Sequence, residues 1–260
     1  MSIEARFVND AACFKRLIDA VKEIVNEVIL DCNPSGMELK AMDSSHVALV
    51  MFCLPCERAF SYYKCPHQAS MGINIQALKK VLNLCNNEDI LTMNKPENSD
   101  ILDILFESKD GSRISQFSLN LVDIDQNDLT IPIVEYQTYF SFSSSEFSRI
   151  CKEFKELADT IVISSQKNCI KFSFKSDTTS GEVSLLPTIQ MSDSNQPPTT
   201  ITIHEPTSAA FSSKYLMMFT KGFLLSQSTS FSLSSNIPLI VEFHFAEGYL
   251  KYYMAPKIEE

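Results

Sequence analysis

Apolar and polar side chains alternate through several short stretches of the chain. In Cys169–Lys175, Ile170, Phe172 and Phe174 share one face of an extended segment. The same period recurs in Gln116–Leu121 (Phe117, Leu119, Leu121), in Thr200–His204 (Ile201, Ile203) and in Ser230–Ser234 (Phe231, Leu233). Val241, Phe243 and Phe245 repeat it against Glu242 and His244. Strands with one wet face predict antiparallel sheets, each covered on its other side. Helical spacing occurs in four places: Asp10–Val25 (Phe14, Leu17, Ile18, Val21, Ile24), Asn74–Leu84 (Ile75, Leu78, Val81, Leu82), Ser143–Leu157 (Phe147, Ile150, Phe154, Leu157) and Ser212–Lys221 (Tyr215, Leu216, Phe219). Asp10, Asn74, Ser143 to Ser145, and Ser212 or Ser213 are expected to cap these helices at their N-termini.

The elements run helix, strands, helix, strands, a break, and then the same again. The first and third helices precede Val28–Asp31 with Met37–Ala41 and Thr160–Ser164 with Ile170–Lys175, and the second and fourth also precede strand pairs. This order is an internal duplication with a period of roughly 130 residues. Between the halves, Ile114 to Ser148 has no Lys or Arg but carries Asp123, Asp125, Asp128, Glu135 and Glu146. Its centre, Val122–Tyr136, contains Pro132 and lacks sustained periodicity, so it reads as an exposed acidic linker. An α+β chain of two similar domains is the expected architecture.

Charge refines this picture. Twenty-two Lys and Arg against 32 Asp and Glu leave a formal charge of −10 on 260 residues, which excludes a uniformly basic nucleic-acid binder. Ten of the 22 cations nevertheless fall in the four helices: Lys15, Arg16, Lys22, Lys79, Lys80, Arg149, Lys152, Lys155, Lys214 and Lys221. Lys and Arg suit any solvated helix face. The functional reading is a basic helical surface on an acidic body, tracking phosphates without reading bases. The longest apolar run, Val47–Leu54, is too short to span a bilayer, and the charged N-terminus does not read as a secretory signal. The expected compartment is the cytosol or nucleus.

The candidate chemistry is sparse. Eight cysteines, mostly within apolar runs, read as reduced and buried thiols. Cys53, Cys56, Cys65 and His67 resemble a zinc set, but Cys53 continues a strand-like run and Pro55 intervenes, so no metal is expected there. Asp43, Ser44, Ser45 and His46 include the residue types of a hydrolase triad, yet near neighbours on an extended chain do not converge. There is no nucleophile elbow, phosphate loop or His-Glu-x-x-His, so neither an enzyme nor a cofactor is expected.

Two long segments are more specific. Met42-Asp-Ser-Ser-His-Val-Ala-Leu-Val50 and Leu250-Lys-Tyr-Tyr-Met-Ala-Pro-Lys-Ile-Glu-Glu260 closely resemble the proliferating cell nuclear antigen family, the eukaryotic DNA sliding clamps. Glu4-Ala-Arg6, Asn87-Glu-Asp-Ile90, Leu129-x-Ile131-Pro132 with Glu135-Tyr136, Arg149-Ile-Cys151 and Ile237-Pro-Leu239 support the resemblance in order along the whole chain. It implies a homotrimeric ring with sheets outside and four short helices lining a hole around duplex DNA. Its domains would span residues 1–118 and 137–260, joined by a connector at 119–136. The implied partners are DNA of any sequence, DNA polymerase, a clamp loader and other clients that dock through short peptide motifs, all in the nucleus. No membrane and no cofactor are implied.

Family positions carried onto this chain make Lys15, Arg16, Lys22, Lys80, Arg113, Arg149, Lys152, Lys214 and Lys221 the DNA-facing cations. The client-peptide pocket would be Met42, Val47, Leu49, Leu129, Ile131, Pro132, Pro238, Tyr253 and Pro256, with His46 and Ala255 at its rim. Lys167 aligns with a lysine that carries ubiquitin-type modification, and subunits would meet edge to edge through Arg113–Leu119 and Gly181–Leu185. Asn83 departs from the family in standing where a second lysine is common. The resemblance leaves two alternatives, a subunit of a heterotrimeric checkpoint clamp and, from another class, a Cys/His metal-binding protein.

Overall fold

The structure, a computed structural model, describes residues 2–125, 129–132, 134–189 and 196–258, without the side chain of Asp10. The chain divides into two compact units. The first comprises Met1–Ser44, Val50–Thr130 and Phe245–Leu250; the second comprises Ser45–Leu49, Ile131–His244 and Lys251–Glu260.

In the first unit the order is β1 (Ile3–Asp10), α1 (Ala11–Val21), β2 (Glu27–Asn33), β3 (Gly36–Met42), β4 (Ala48–Pro55), α2 (Cys56–Ala59), β5 (Phe60–Lys64), β6 (Ala69–Asn74), α3 (Ile75–Leu82), β7 (Ile90–Lys95), β8 (Ile101–Glu107) and β9 (Ile114–Asn120). The second has β10 (Thr138–Ser143), α4 (Ser144–Lys155), β11 (Thr160–Gln166), β12 (Cys169–Lys175), β13 (Ser180–Leu185), β14 (Thr200–Ile203), β15 (Ser208–Ser212), α5 (Ser213–Phe219) with a 3-10 turn at Thr220–Leu224, β16 (Ser228–Leu233), β17 (Leu239–Phe245) and β18 (Gly248–Met254).

The duplication is visible in the strand pairing. In the first unit the strand orders run β5-β1-β7-β8-β9 and β4-β3-β2-β6. In the second they run β14-β10-β16-β17-β18 and β13-β12-β11-β15, which is the same graph strand for strand. The ladders with a complete register are antiparallel, for example Phe140 opposite both Ile201 and Phe231. Alternation is obeyed where the sequence predicts it: Ile170, Phe172 and Phe174 of β12 are all buried. In the second core, Phe231 lies 4.7 Å from Phe140, 5.2 Å from Phe142 and 5.0 Å from Phe147, ring centre to ring centre.

Each of the four expected helices buries one stripe and is shorter than its periodicity predicts. α1 buries Phe14, Leu17, Ile18 and Val21 and then tightens, because the Ile24 amide donates to Val21 three residues back (3.0 Å). The expected caps behave differently from one another. Asn74 accepts from the Ala77 amide (2.9 Å), as an N-cap does. Ser143 and Ser212 occupy N-cap positions without capping bonds: the Ser143 hydroxyl pairs with Ser145 (2.7 Å), and Ser144 is buried against Thr229 (2.7 Å). The Asp10 cap lies outside the described side chains. α2, four residues long, has no counterpart among the four periodic segments.

The segment after β9 forms no regular structure from Leu121 to Asp125. Its start is fixed, because the Val122 amide donates to Gly72 (2.9 Å). Only glycine permits this approach: a Cβ at Gly72 would stand 1.9 Å from the Val122 oxygen.

Candidate functional site

The cations sit where the burial of each helix leaves them. With Phe14, Leu17 and Ile18 inside, α1 exposes Arg16 and leaves Lys15 and Lys22 half-buried. With Ile75, Leu78 and Leu82 inside, α3 exposes Lys80. α4 buries Phe147, Ile150, Cys151 and Phe154 and exposes Arg149 and Lys152, while α5 and its 3-10 turn expose Lys214 and Lys221. Lys80, Lys152, Lys214 and Lys221 form no ion pair among the described residues, so their charge is available to solvent and to a polyanion. The apolar stripe fixes the orientation of each helix, and the orientation fixes the cations.

Four other cations are held by carboxylates. Lys79, 11% exposed, reaches Asp19 at 2.5 Å and so ties α3 to α1, while Lys22 meets the same carboxyl at 3.0 Å. Burial alone would raise the Asp19 pKa, but hydrogen bonds from Lys79 and Lys22 outweigh it and hold the carboxyl below its ordinary value. Arg149 lies between Glu146 (2.5 Å) and Glu153 (3.4 Å) on its own helix, and the Glu146 hydrogen bond leads the rise in its pKa. Arg113 is not on a helix: it precedes β9 and meets Asp89 at 2.7 Å. The Asp89 side chain is only 4% exposed and also accepts from the Asn86 amide (2.8 Å). Arg113 thus neutralises a buried charge, a second task for a residue expected to face DNA.

Most of the client-pocket residues belong to the second unit: His46, Val47, Leu49, Ile131, Pro132, Pro238, Tyr253, Ala255 and Pro256. The Ala255 amide donates to the Val47 carbonyl (3.0 Å), which brings the C-terminal segment beside His46 and Val47 of the same unit. At the end of the linker, the Tyr136 hydroxyl donates to Pro238 (2.9 Å). Burial pushes the Tyr136 hydroxyl up to about 12, with Tyr253 and Tyr139 adding to the shift. Leu49 is 7% exposed and packs as core, whereas His46, Pro132, Pro238 and Ala255 are exposed and Val47, Ile131, Tyr253 and Pro256 are half-buried. Met42 and Leu129 fall in the first unit, Met42 exposed and Leu129 half-buried.

Lys167 and Asn168 form a two-residue hairpin between β11 and β12, closed by the Gln166–Cys169 pair. Both take left-handed φ values, 44° and 65°, the conformation a type I′ turn demands. This geometry puts the Lys167 side chain at an exposed tip.

The cysteine cluster is split. The Cys65 thiol donates to the His67 carbonyl (3.1 Å) and lies with Cys32 beside Tyr63, while Cys53 neighbours Glu38 and Tyr249. Among the described residues no group of three or more His, Cys, Asp or Glu side chains is placed to hold a metal ion. Asp43 is buried while Ser44, Ser45 and His46 are exposed. Sequence reasoning missed the Asp19–Lys79 clasp and the surroundings of Tyr139, because their members lie 60 and more residues apart and no local period links them.

Comparison with known proteins agrees with this geometry. The family model for the proliferating cell nuclear antigen N-terminal domain matches residues 2–129, and that for its C-terminal domain matches residues 130–258. The proliferating cell nuclear antigen of Chaetomium thermophilum is 40% identical over 257 residues, covering 98% of each chain. Neither a checkpoint-clamp subunit nor a Cys/His metal-binding protein is favoured by these matches. Two like antiparallel units with basic helices, matched from end to end by one family, place this chain in the proliferating cell nuclear antigen family as a DNA sliding clamp, a family that forms trimeric rings on DNA, binds polymerase and other partners, and is not known for enzymatic activity.

Proposed function

We propose that this clamp meets duplex phosphates through Lys15, Arg16, Lys22, Lys80, Arg113, Arg149, Lys152, Lys214 and Lys221. The observation that supports this is the two-sided helix: each helix with expected DNA-facing cations buries an apolar stripe and exposes at least one of them, Arg16, Lys80, Arg149, Lys152 or Lys214. A ring held by topology needs only weak contacts indifferent to sequence, which exposed lysines supply. Replacing Lys80, Lys152, Lys214 and Lys221 together with Glu is expected to abolish stimulation of a DNA polymerase while leaving the native mass unchanged. Retained stimulation would refute the assignment.

The remaining roles follow the family positions. Residues 1–118 and 137–260 act as the two clamp domains, and 119–136 is the connector. Client peptides dock on Met42, His46, Val47, Leu49, Leu129, Ile131, Pro132, Pro238, Tyr253, Ala255 and Pro256, whose exposed and half-buried apolar members suit aromatic anchors while Leu49 packs as core. Ile131→Ser is expected to weaken a fluorescent client peptide; unchanged affinity would remove the pocket. Subunits join through β9 and β13, each the terminal strand of its sheet with one face exposed and the other mostly half-buried. Lys167 accepts a ubiquitin-type modifier at its hairpin tip, and Lys167→Arg removes the modified band on a denaturing gel. The protein works in the nucleus, without a catalytic step or cofactor of its own.

A further inference from the structure

Within the second unit, Glu135, Tyr136, Gln137, Tyr139, His204 and Glu205 line a cleft of about 480 Å³ that the roles above do not use. Its walls are fixed by Gln137. The Gln137 carbonyl accepts from the His204 amide (2.8 Å) and the Glu205 amide (3.2 Å), its own amide donates to Ser234 (2.9 Å), and its side-chain amide donates to Glu205 Oε2 (3.0 Å). Tyr139 is pinned as well. Its hydroxyl accepts from the Tyr136 amide (3.1 Å), and its ring meets His204 edge-on (6.0 Å, 84°) and Tyr136 edge-on (6.3 Å, 67°). Despite these contacts Tyr139 is 39% exposed.

The lining chemistry selects a ligand. Two carboxylates, Glu135 and Glu205, flank aromatic rings, and neither Lys nor Arg lines the cleft. An anion or a nucleic-acid strand would be repelled. A metal ion finds no set of three converging donors among the described residues. An organic cation gains from both features, since its charge pairs with the carboxylates and its surface lies over the tyrosine ring. A guanidinium fits better than an ammonium because it is planar, stacks on aromatic faces and takes a carboxylate with two donors. The cleft shares Tyr136 with the Pro238 loop, on which the same tyrosine donates its hydroxyl. We propose that this cleft binds an arginine side chain of a partner polypeptide, as a cation-binding subsite distinct from the apolar client pocket.

The test uses the full-length protein labelled with carbon-13 at its tyrosine rings, with Tyr139→Phe to assign the Tyr139 signal. The probes are an end-blocked tetra-arginine peptide, its tetra-glutamine counterpart, and spermidine. Tetra-arginine is expected to shift the Tyr139 signal saturably, whereas tetra-glutamine leaves it in place. Glu135→Gln with Glu205→Gln is expected to weaken the arginine peptide about three- to tenfold, the loss of its charge-assisted contacts with the tyrosine ring left in place. Tyr139→Phe keeps the ring and is expected to retain binding, monitored on Tyr136. A Tyr139 signal indifferent to tetra-arginine, or an affinity unchanged in the double variant, would overturn the proposal. Tighter binding of spermidine than of the peptide would overturn the polypeptide assignment. None of these readings depends on the apolar pocket, so failure of client docking at Ile131 remains a separate result.

Discussion

Removing the Arg113 guanidinium separates a structural from a DNA-facing role for this residue. Arg113→Ala leaves the Asp89 carboxylate, 4% exposed, with the Asn86 amide but without its cation. Breaking a fully buried pair costs about 3–5 kcal/mol, and a fully exposed one about 0–1. With Arg113 itself 47% exposed, solvent screens part of the interaction and about 2 kcal/mol is the reasonable middle. The damage is expected to spread to α1, because the Asp89 carbonyl accepts from the Ala11 amide (2.9 Å) at the first residue of that helix. At fixed protein concentration, which an assembling protein requires, calorimetry is expected to show Tm lowered by about 4–8 °C. Asp89→Asn removes the buried charge, so adding Arg113→Ala to it is expected to cost about 1 kcal/mol less than in the parent. Lys80→Ala serves as the surface control, within about 0.5 kcal/mol of the parent. A neutral Arg113→Ala, or strictly additive costs in the cycle, would show that the ion pair does not stabilise the fold.

Gly72→Ala drives a methyl group into the Val122 carbonyl and is expected to cost about 2 kcal/mol and to release the start of the connector; unchanged proteolysis near Val122–Asp125 would refute this. Asp19 has a folded pKa below its unfolded value, so its contribution is full above about pH 4 and is lost as pH falls through the folded value. The stability gap between the parent and Asp19→Asn is therefore expected to close on acidification, and a gap that stays constant to pH ~2 would contradict the clasp. Cys151 is wholly buried and burial pushes its thiol well up, so iodoacetamide at neutral pH is expected to spare it in the native protein and label it after unfolding. Native labelling of Cys151 would mean that α4 opens far more readily than its packing allows.

What could be read from the sequence was local. Cys169–Lys175 and Ser230–Ser234 show their strand period directly, and Phe14, Leu17 and Ile18 mark the inner face of α1, because a covered face leaves a repeating trace. The duplicated order of elements was equally legible, and strand pairing then copies it. α2 was not legible, since four residues set no period, and the serine caps failed because Ser143 and Ser144 find hydroxyl partners instead. The electrostatics were the least legible. Asp19 and Lys79 lie on different helices, and Tyr139 meets His204 across a strand pair, so only the folded chain shows that they touch.

The most direct test of the clamp is topological retention. The protein is loaded onto nicked circular DNA by a clamp loader, the complex is isolated in moderate salt, and one portion is cut once with a restriction enzyme. A ring that holds DNA by encircling it remains on the closed circles and runs off the linear DNA. Equal retention on both would mean that the protein binds DNA by chemical affinity, and would contradict its action as a sliding clamp.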